Sequence, residues 1–312
     1  MASKAKAGRA MTGKALTRAP RDTAHEGFLN HKRGRWAKVA ITLSVVALGA
    51  YLLTDPVPRH NGGTWLGYLL GSIGAGMIVW LSLLGVRKRV IGPKPFSLKG
   101  WTSAHVYLGL SLIVVGTLHT GFQLGWNVHT LAWALMSLVI VSGIVGLYGY
   151  INYPLQIATL RAGHGRSELF AELYELNRKG RELAVRSSAD LQLAVQSSIA
   201  RTTLGGGVVA QLSGRDRSEF ETLEGGTQPN IDQSPVIDLV AARLTRADRR
   251  AEVGVLQDLL AVLCRRQAVL RRLRSDIRLQ GWLKAWLYLH VPLTVGTLAA
   301  LVVHILSTFI YW

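Results

Sequence analysis

From Ala285 to Trp312 the chain carries no Asp, Glu, Lys or Arg, and the run is long enough to cross the hydrocarbon core of a bilayer as a helix. Four further apolar runs cover residues 36–53, 65–84, 101–122 and 128–150. A length of 312 residues alone would suit one or two soluble domains. Five runs of bilayer length overrule that reading and predict an all-α integral membrane protein, a five-helix transmembrane bundle. Residues 151–284 read instead like a soluble protein, so they form a mainly helical cytoplasmic insertion between helices 4 and 5. The expected organisation is a flexible basic tail over 1–35, helices 1–4 over 36–150, the insertion over 151–284, and helix 5 over 285–312, packing with helices 3 and 4.

The formal charge of +18 invites a nucleic-acid reading, but its placement points elsewhere. The first 38 residues hold ten Lys/Arg and two acidic residues. The link from Val86 to Gly100 holds Arg87, Lys88, Arg89, Lys94 and Lys99 and no acid, whereas the turn from Phe122 to His129 is uncharged. Basic and neutral links alternate, as the positive-inside rule requires. The expected location is a bacterial inner membrane, crossed several times, with the N-terminus cytoplasmic and the C-terminus outside. The expected contacts are membrane lipid and protein, not nucleic acid. The basic start followed by an apolar run also has the layout of a signal peptide; an uncleaved first helix is expected. Cys264 is the single cysteine, so iron–sulfur ligation and CxxCH haem attachment within the chain are excluded.

Helix 1 is expected from about Trp36 to Leu53 and helix 2 from about Thr64 to Leu84, with Gly67, Gly71 and Gly74 permitting close contact. Gly92-Pro93 and Pro95 break the chain before helix 3, about Trp101 to Phe122. Helix 4 starts near Asn127 or His129 and ends near Tyr150, ahead of Pro154. In the insertion, Leu169, Leu173 and Leu176 recur at helical spacing within Ser167–Leu193. Leu204-Gly205-Gly206-Gly207 is a break, and neither GK[ST] nor GxGxxG follows it. Val236–Leu279 reads as one long Arg- and Leu-rich helix. Its arginines, Arg266, Arg271, Arg274 and Arg278 among them, read as a solvated face and a topology signal.

The chemistry lies in the histidines. His105 and His119 stand fourteen residues apart, as do His290 and His304. Fourteen residues advance a helix by about 40° less than four full turns, so each pair shares one face, roughly 21 Å apart along the axis. Lys99 precedes His105 by six residues and Lys284 precedes His290 by six, which gives the two pairs equal depth on helices of equal direction. His105 with His290 on the inner side, and His119 with His304 on the outer side, would each supply two axial nitrogens to one haem b iron. Two imidazoles per iron leave no open position, which suits electron transfer. Gly109, Gly116 and Gly296 leave room for a flat macrocycle. His129, at the start of helix 4, is a further candidate ligand or a partner for a propionate or quinone. Arg161 and Arg166 are candidate partners for the inner haem propionates. His60 reads as an outer-loop residue and His164 as part of a turn.

On these residues the chain resembles the membrane dihaem cytochrome b superfamily, which includes respiratory cytochrome b subunits and ferric-reductase-like proteins. The resemblance covers mainly 101–150 and 282–312. It implies a subunit of a respiratory oxidoreductase complex that carries electrons across the membrane, rather than a complete enzyme. Where ferric-reductase-like relatives continue into a flavin/nicotinamide domain, this sequence stops at Trp312. The implied partners are a cytoplasmic iron–sulfur or flavin electron-transfer subunit docking on 151–284 and an outer c-type cytochrome or quinone. A quinone-reactive cytochrome b subunit, with a pocket near Asn127, His129 or Tyr148, is the second reading. A non-redox membrane scaffold, whose purified protein would be colourless, is the third.

Overall fold

The computed structural model describes residues 28–57, 59–89, 97–161 and 165–310. The basic tail up to residue 27, the Gly92-Pro93 and Pro95 break, His164 and Trp312 lie outside the described residues. Among the described residues, five helices are long and apolar enough to cross a membrane. The chain divides into two compact units, Met1–Gly125 and Trp126–Trp312.

The first unit is built of α1 (Arg35–Leu53), α2 (Trp65–Arg89) and α3 (Leu98–Thr120). Ser97 starts α3 by accepting the Gly100 N–H on its hydroxyl at 3.1 Å. Gly121 ends it in the left-handed region, φ 59°, and returns its N–H to the Leu118 carbonyl. Both α1 and α2 lie against α3. Ala47, Leu66, Leu70, Val115 and Leu118 form their shared core. The outer faces are as apolar as the inner one: Ile41, Val45, Leu52 and Val79 are all exposed. A helix apolar all round belongs inside a larger apolar surround. Gly74 of α2 faces a neighbouring helix as expected, whereas Gly67 faces the loop ahead of its own helix. A Cβ at Gly67 would strike the Asn61 carbonyl, and one at Gly74 would meet Leu112 at 3.7 Å.

The second unit is organised on an antiparallel pair, α4 (Val128–Arg161) and α9 (Arg250–Ile310). His129 lies beside His304, Ser142 beside His290 and Arg161 beside Asp276, so residue numbers rise on one helix as they fall on the other. Asn127 starts α4 by accepting the Thr130 N–H at 2.9 Å. The expected stop near Tyr150 is not observed: α4 runs through Pro154 to Arg161. Proline removes one backbone hydrogen bond and tends to bend a helix; contact with α9 on the far side of Pro154 keeps this one going. The expected single helix Val236–Leu279 is likewise revised. It breaks after α8 (Ser234–Leu244) and restarts as α9, which then continues without interruption into the apolar run, 61 residues and about 90 Å in all.

Between α4 and α8 lie α5 (Arg166–Val185), α6 (Ala189–Ala200), α7 (Val208–Ser213) and an antiparallel hairpin of β1 (Glu219–Glu221) and β2 (Thr227–Pro229). The hairpin turns through Gly225-Gly226, where Gly225 takes φ 83°. Leu169 and Leu173 do form the buried stripe of α5, packed on Val269, Leu270 and Leu273 of α9. A second cluster joins α6, α8 and α9 through Leu191, Val195, Val236, Val240, Leu256 and Leu259.

The arginines of α9 are not one solvated face. Arg274 pairs with Asp216 at 2.7 Å and Arg271 with Asp232. Arg266 is 1% exposed, donating to Asn177 at 2.7 Å and also to Gln233 and Thr202. Burial, then the charges of Arg274 and Arg181, push its guanidinium down to about 10. The folded protein therefore binds that proton less tightly than the unfolded chain, so the penalty for burying the charge is fully present below about pH 10 and eases only above it. Removing Arg266 gives up that penalty along with three hydrogen bonds and the packing of the side chain. Arg266→Ala is expected to lower the unfolding free energy by about 2 kcal/mol, as read by thermal unfolding in detergent.

Candidate cofactor site

Four histidines sit on the two helices expected to carry them, and each presents its Nδ1 to a neighbouring helix. On α3, the Nδ1 of His105 lies 3.1 Å from the Leu81 carbonyl, and that of His119 lies 2.7 Å from the Gly67 carbonyl. Leu81 and Gly67 are themselves fourteen residues apart on α2, so the interval between the histidines is answered by an equal interval between acceptors. A carbonyl only accepts, so both Nδ1 atoms carry the proton. In a neutral ring, Nε2 is then the lone-pair nitrogen.

On α9, the Nδ1 of His290 lies 2.8 Å from the Ser142 hydroxyl. That hydroxyl donates to the Val139 carbonyl at 2.8 Å, so it accepts from His290, and the same tautomer follows. Trp286 frames this histidine: its indole N–H donates to the Ser142 carbonyl at 2.7 Å, and its ring centroid lies 5.2 Å from that of His290. Trp286 thus packs between α4 and α9 over Gly146, where any Cβ would collide with the indole.

The outer histidine of α9 meets a different partner. The Nδ1 atoms of His304 and His129 lie 2.5 Å apart with the rings edge to face, 87°. One must donate and the other accept. With the proton on His304, its Nε2 takes the role seen in the other three rings and His129 orients it. The opposite tautomers make His129 the ring with a lone pair at Nε2. The two Nδ1 atoms are too close for both to bind one ion, since ligand nitrogens at about 2.0 Å from a metal stand farther apart than this.

Small residues make room for the rings. A Cβ at Gly71 would sit 2.7 Å from His119 Cε1, one at Gly62 would sit 3.2 Å from the same atom, and one at Gly143 would sit 3.5 Å from His290 Cε1. At Gly109 and Gly296 a Cβ would meet no atom within 4 Å.

Arg161 and Arg166 have a partner that the sequence reading missed. Arg161 donates through Nε to the fully buried carboxylate of Asp276 at 3.0 Å, and Arg166 pairs with its other oxygen at 3.4 Å. Asp276 lies fourteen residues before His290, roughly 21 Å lower on the same stripe of α9. Of the quinone candidates, Asn127 caps α4 through its Oδ1, and Tyr148 lies about 28 Å along α4 from His129. His60, expected at the surface, stacks on Tyr51 at 3.9 Å and accepts from Gln123 on its carbonyl.

The sequence singles out the four histidines and His129, but not Leu81, Gly67 or Ser142 as their partners. Leu81 and Gly67 act through backbone carbonyls, which leave no mark in residue type. The readable signals are Gly67 and Gly71, one turn apart on α2, and Ser142 in a mostly apolar run. No protein-family model, curated protein or solved structure matches the chain.

Proposed function

We propose that this chain is a multi-pass membrane protein that holds two b-type haems on His105, His119, His290 and His304 and carries electrons between the two sides of the membrane, as one subunit of a larger redox complex. The observation that supports this reading best is the set of Nδ1 contacts. Haem- and metal-ligating histidines generally donate their second ring nitrogen to a carbonyl or similar acceptor, which fixes the tautomer and the ring plane. Three of the four rings here have that arrangement outright, and the fourth has it through His129. Histidines that merely join helices need no common tautomer and no repeated interval.

The pairing of His105 with His290 and of His119 with His304 is carried by sequence depth, Lys99 and Lys284 each lying six residues before the inner histidine. When bound, each haem supplies an iron that changes by one electron. The residues of the chain would hold the ring planes and keep Nε2 in its lone-pair form. Residues 151–284 would be the docking platform for a cytoplasmic iron–sulfur or flavin subunit, and an outer c-type cytochrome or quinone would be the acceptor or donor on the other side.

The test is a dithionite-reduced minus oxidised spectrum of the purified chain, with haem counted per polypeptide. Two b-type haems with a sharp low-spin alpha band are expected. A colourless protein from haem-replete cells would remove the proposal and leave a scaffold organised by the 151–284 body.

A further inference from the structure

The short helix α7 sits at a particular level of α9. A Cβ at Gly281 would meet Leu212 at 3.5 Å and Gln211 at 3.9 Å, and one at Gly214 would meet the Arg278 side chain at 3.0 Å. The helix therefore lies alongside residues 278–281, about 6 Å along the axis from Ala285, where the uncharged run begins. It turns two large apolar side chains outward, Val208 at 71% and Val209 at 81% exposure. Arg215 and Arg217, both exposed, follow directly and share with the two valines and Ser213 an open recess of about 470 Å³. Arg278 is exposed at the same level.

In water this arrangement is unfavourable: two neighbouring β-branched side chains at the tip of a helix are left wet, although α7 packs the half-buried Leu212 against α9. At a bilayer surface it is what a peripheral contact requires, with apolar tips entering the boundary between headgroups and acyl chains and guanidinium groups on the phosphates. We infer that α7 with its following arginines is a membrane-interface anchor, in which Val208 and Val209 enter the cytoplasmic leaflet and Arg215, Arg217 and Arg278 hold anionic lipid headgroups. The anchor would fix the 151–284 body against the bilayer at its end nearest the membrane, in addition to the covalent tie through α9. The inference rests on α9 crossing the membrane from Ala285 onward, but not on haem.

The test uses the full chain with the exposed Cys264 replaced by Ser and one new cysteine carrying an environment-sensitive fluorophore. It is reconstituted in nanodiscs of phosphatidylcholine with phosphatidylglycerol or of phosphatidylcholine alone. Three sites are compared: Val209→Cys, Val303→Cys in the apolar run of α9, and Ile231→Cys, which is 61% exposed and lies beside Asp232, far up α9 at the level of Arg271. The Val209 probe is expected to emit like a membrane probe and to be quenched best by lipids spin-labelled near the headgroup. The Val303 probe is expected to be quenched best by deep labels, and the Ile231 probe to stay wet. Arg215→Gln and Arg217→Gln should each lower the immersed-to-wet ratio of the Val209 probe about fivefold, in the anionic discs only. A Val209 probe as wet as Ile231, with Val303 deep, overturns the anchor and leaves the span standing. A wet Val303 probe overturns both.

Discussion

Replacing His304 by Ala is expected to reduce the haem content from two per chain to one, whereas replacing His129 by Ala should leave both haems in place. The two rings touch through their Nδ1 atoms at 2.5 Å, so they cannot share the same role. A ligand removed leaves its iron with one imidazole, and the haem is lost or turns high-spin. An orienting ring removed frees its neighbour to rotate, so the haem stays but its affinity falls by about 10- to 100-fold. Counting haem after a fixed period of detergent dilution, together with the width of the alpha band, separates these outcomes. If His129→Ala loses the haem and His304→Ala keeps it, the ligand assignment moves to His129. If neither variant changes the spectrum, the outer site is not built on α9. A companion experiment probes α2. Gly71→Val is expected to reproduce a partial loss of the His119 haem, because even a Cβ would sit 2.7 Å from the imidazole and the ring would have to leave the Gly67 carbonyl. Gly76→Val, where a Cβ meets nothing within 4 Å, should retain both haems.

What the sequence reveals here depends on whether side chains or backbone carry the information. Five apolar runs and two His-x13-His intervals are side-chain patterns, and the helices appear where they place them, α1 and α3 to within a few residues. The limits of α4 and α9 could not be read in the same way. Pro154 is a strong stop signal in an isolated helix, but packing on α9 carries α4 past it. The change from charged to uncharged residues at Ala285 is a change of side chain, not of backbone, so α9 passes through it unbroken. Arginine identity was similarly mute: Arg271 is a surface residue paired with Asp232, while Arg266, one turn and a little earlier, is sealed among Asn177, Thr202 and Gln233. The i to i+5 displacement rotates a side chain by about 140° around the helix, enough to move it from solvent to core. Which of the two faces is covered depends on α5, α6 and α8, elements far away in sequence.

Asp276→Asn is expected to destabilise the Trp126–Trp312 unit by about 3 kcal/mol without changing its haem content. The carboxylate is fully buried, and two guanidinium groups converge on it from the end of α4 and the start of α5. Removing one member of a buried ion pair typically costs about 3 to 5 kcal/mol, because the partner is left charged and uncompensated. The lower end applies here, since the Arg161 and Arg166 side chains keep 26% and 39% exposure and can recover some hydration. Arg161→Gln should cost less, about 1 to 2 kcal/mol, because Arg166 still neutralises Asp276. The two effects should be far from additive in the double variant, which is the signature of residues sharing one interaction. Haem content then decides what the cluster is for. With both haems retained and their midpoint potentials unmoved in Arg161→Gln and Arg166→Gln, the cluster is a latch that closes the α4–α9 pair below the inner histidine. Loss of a haem, or a clear fall in one potential, would instead put these arginines on the propionates, and would mean that Asp276 holds them only until the haem arrives.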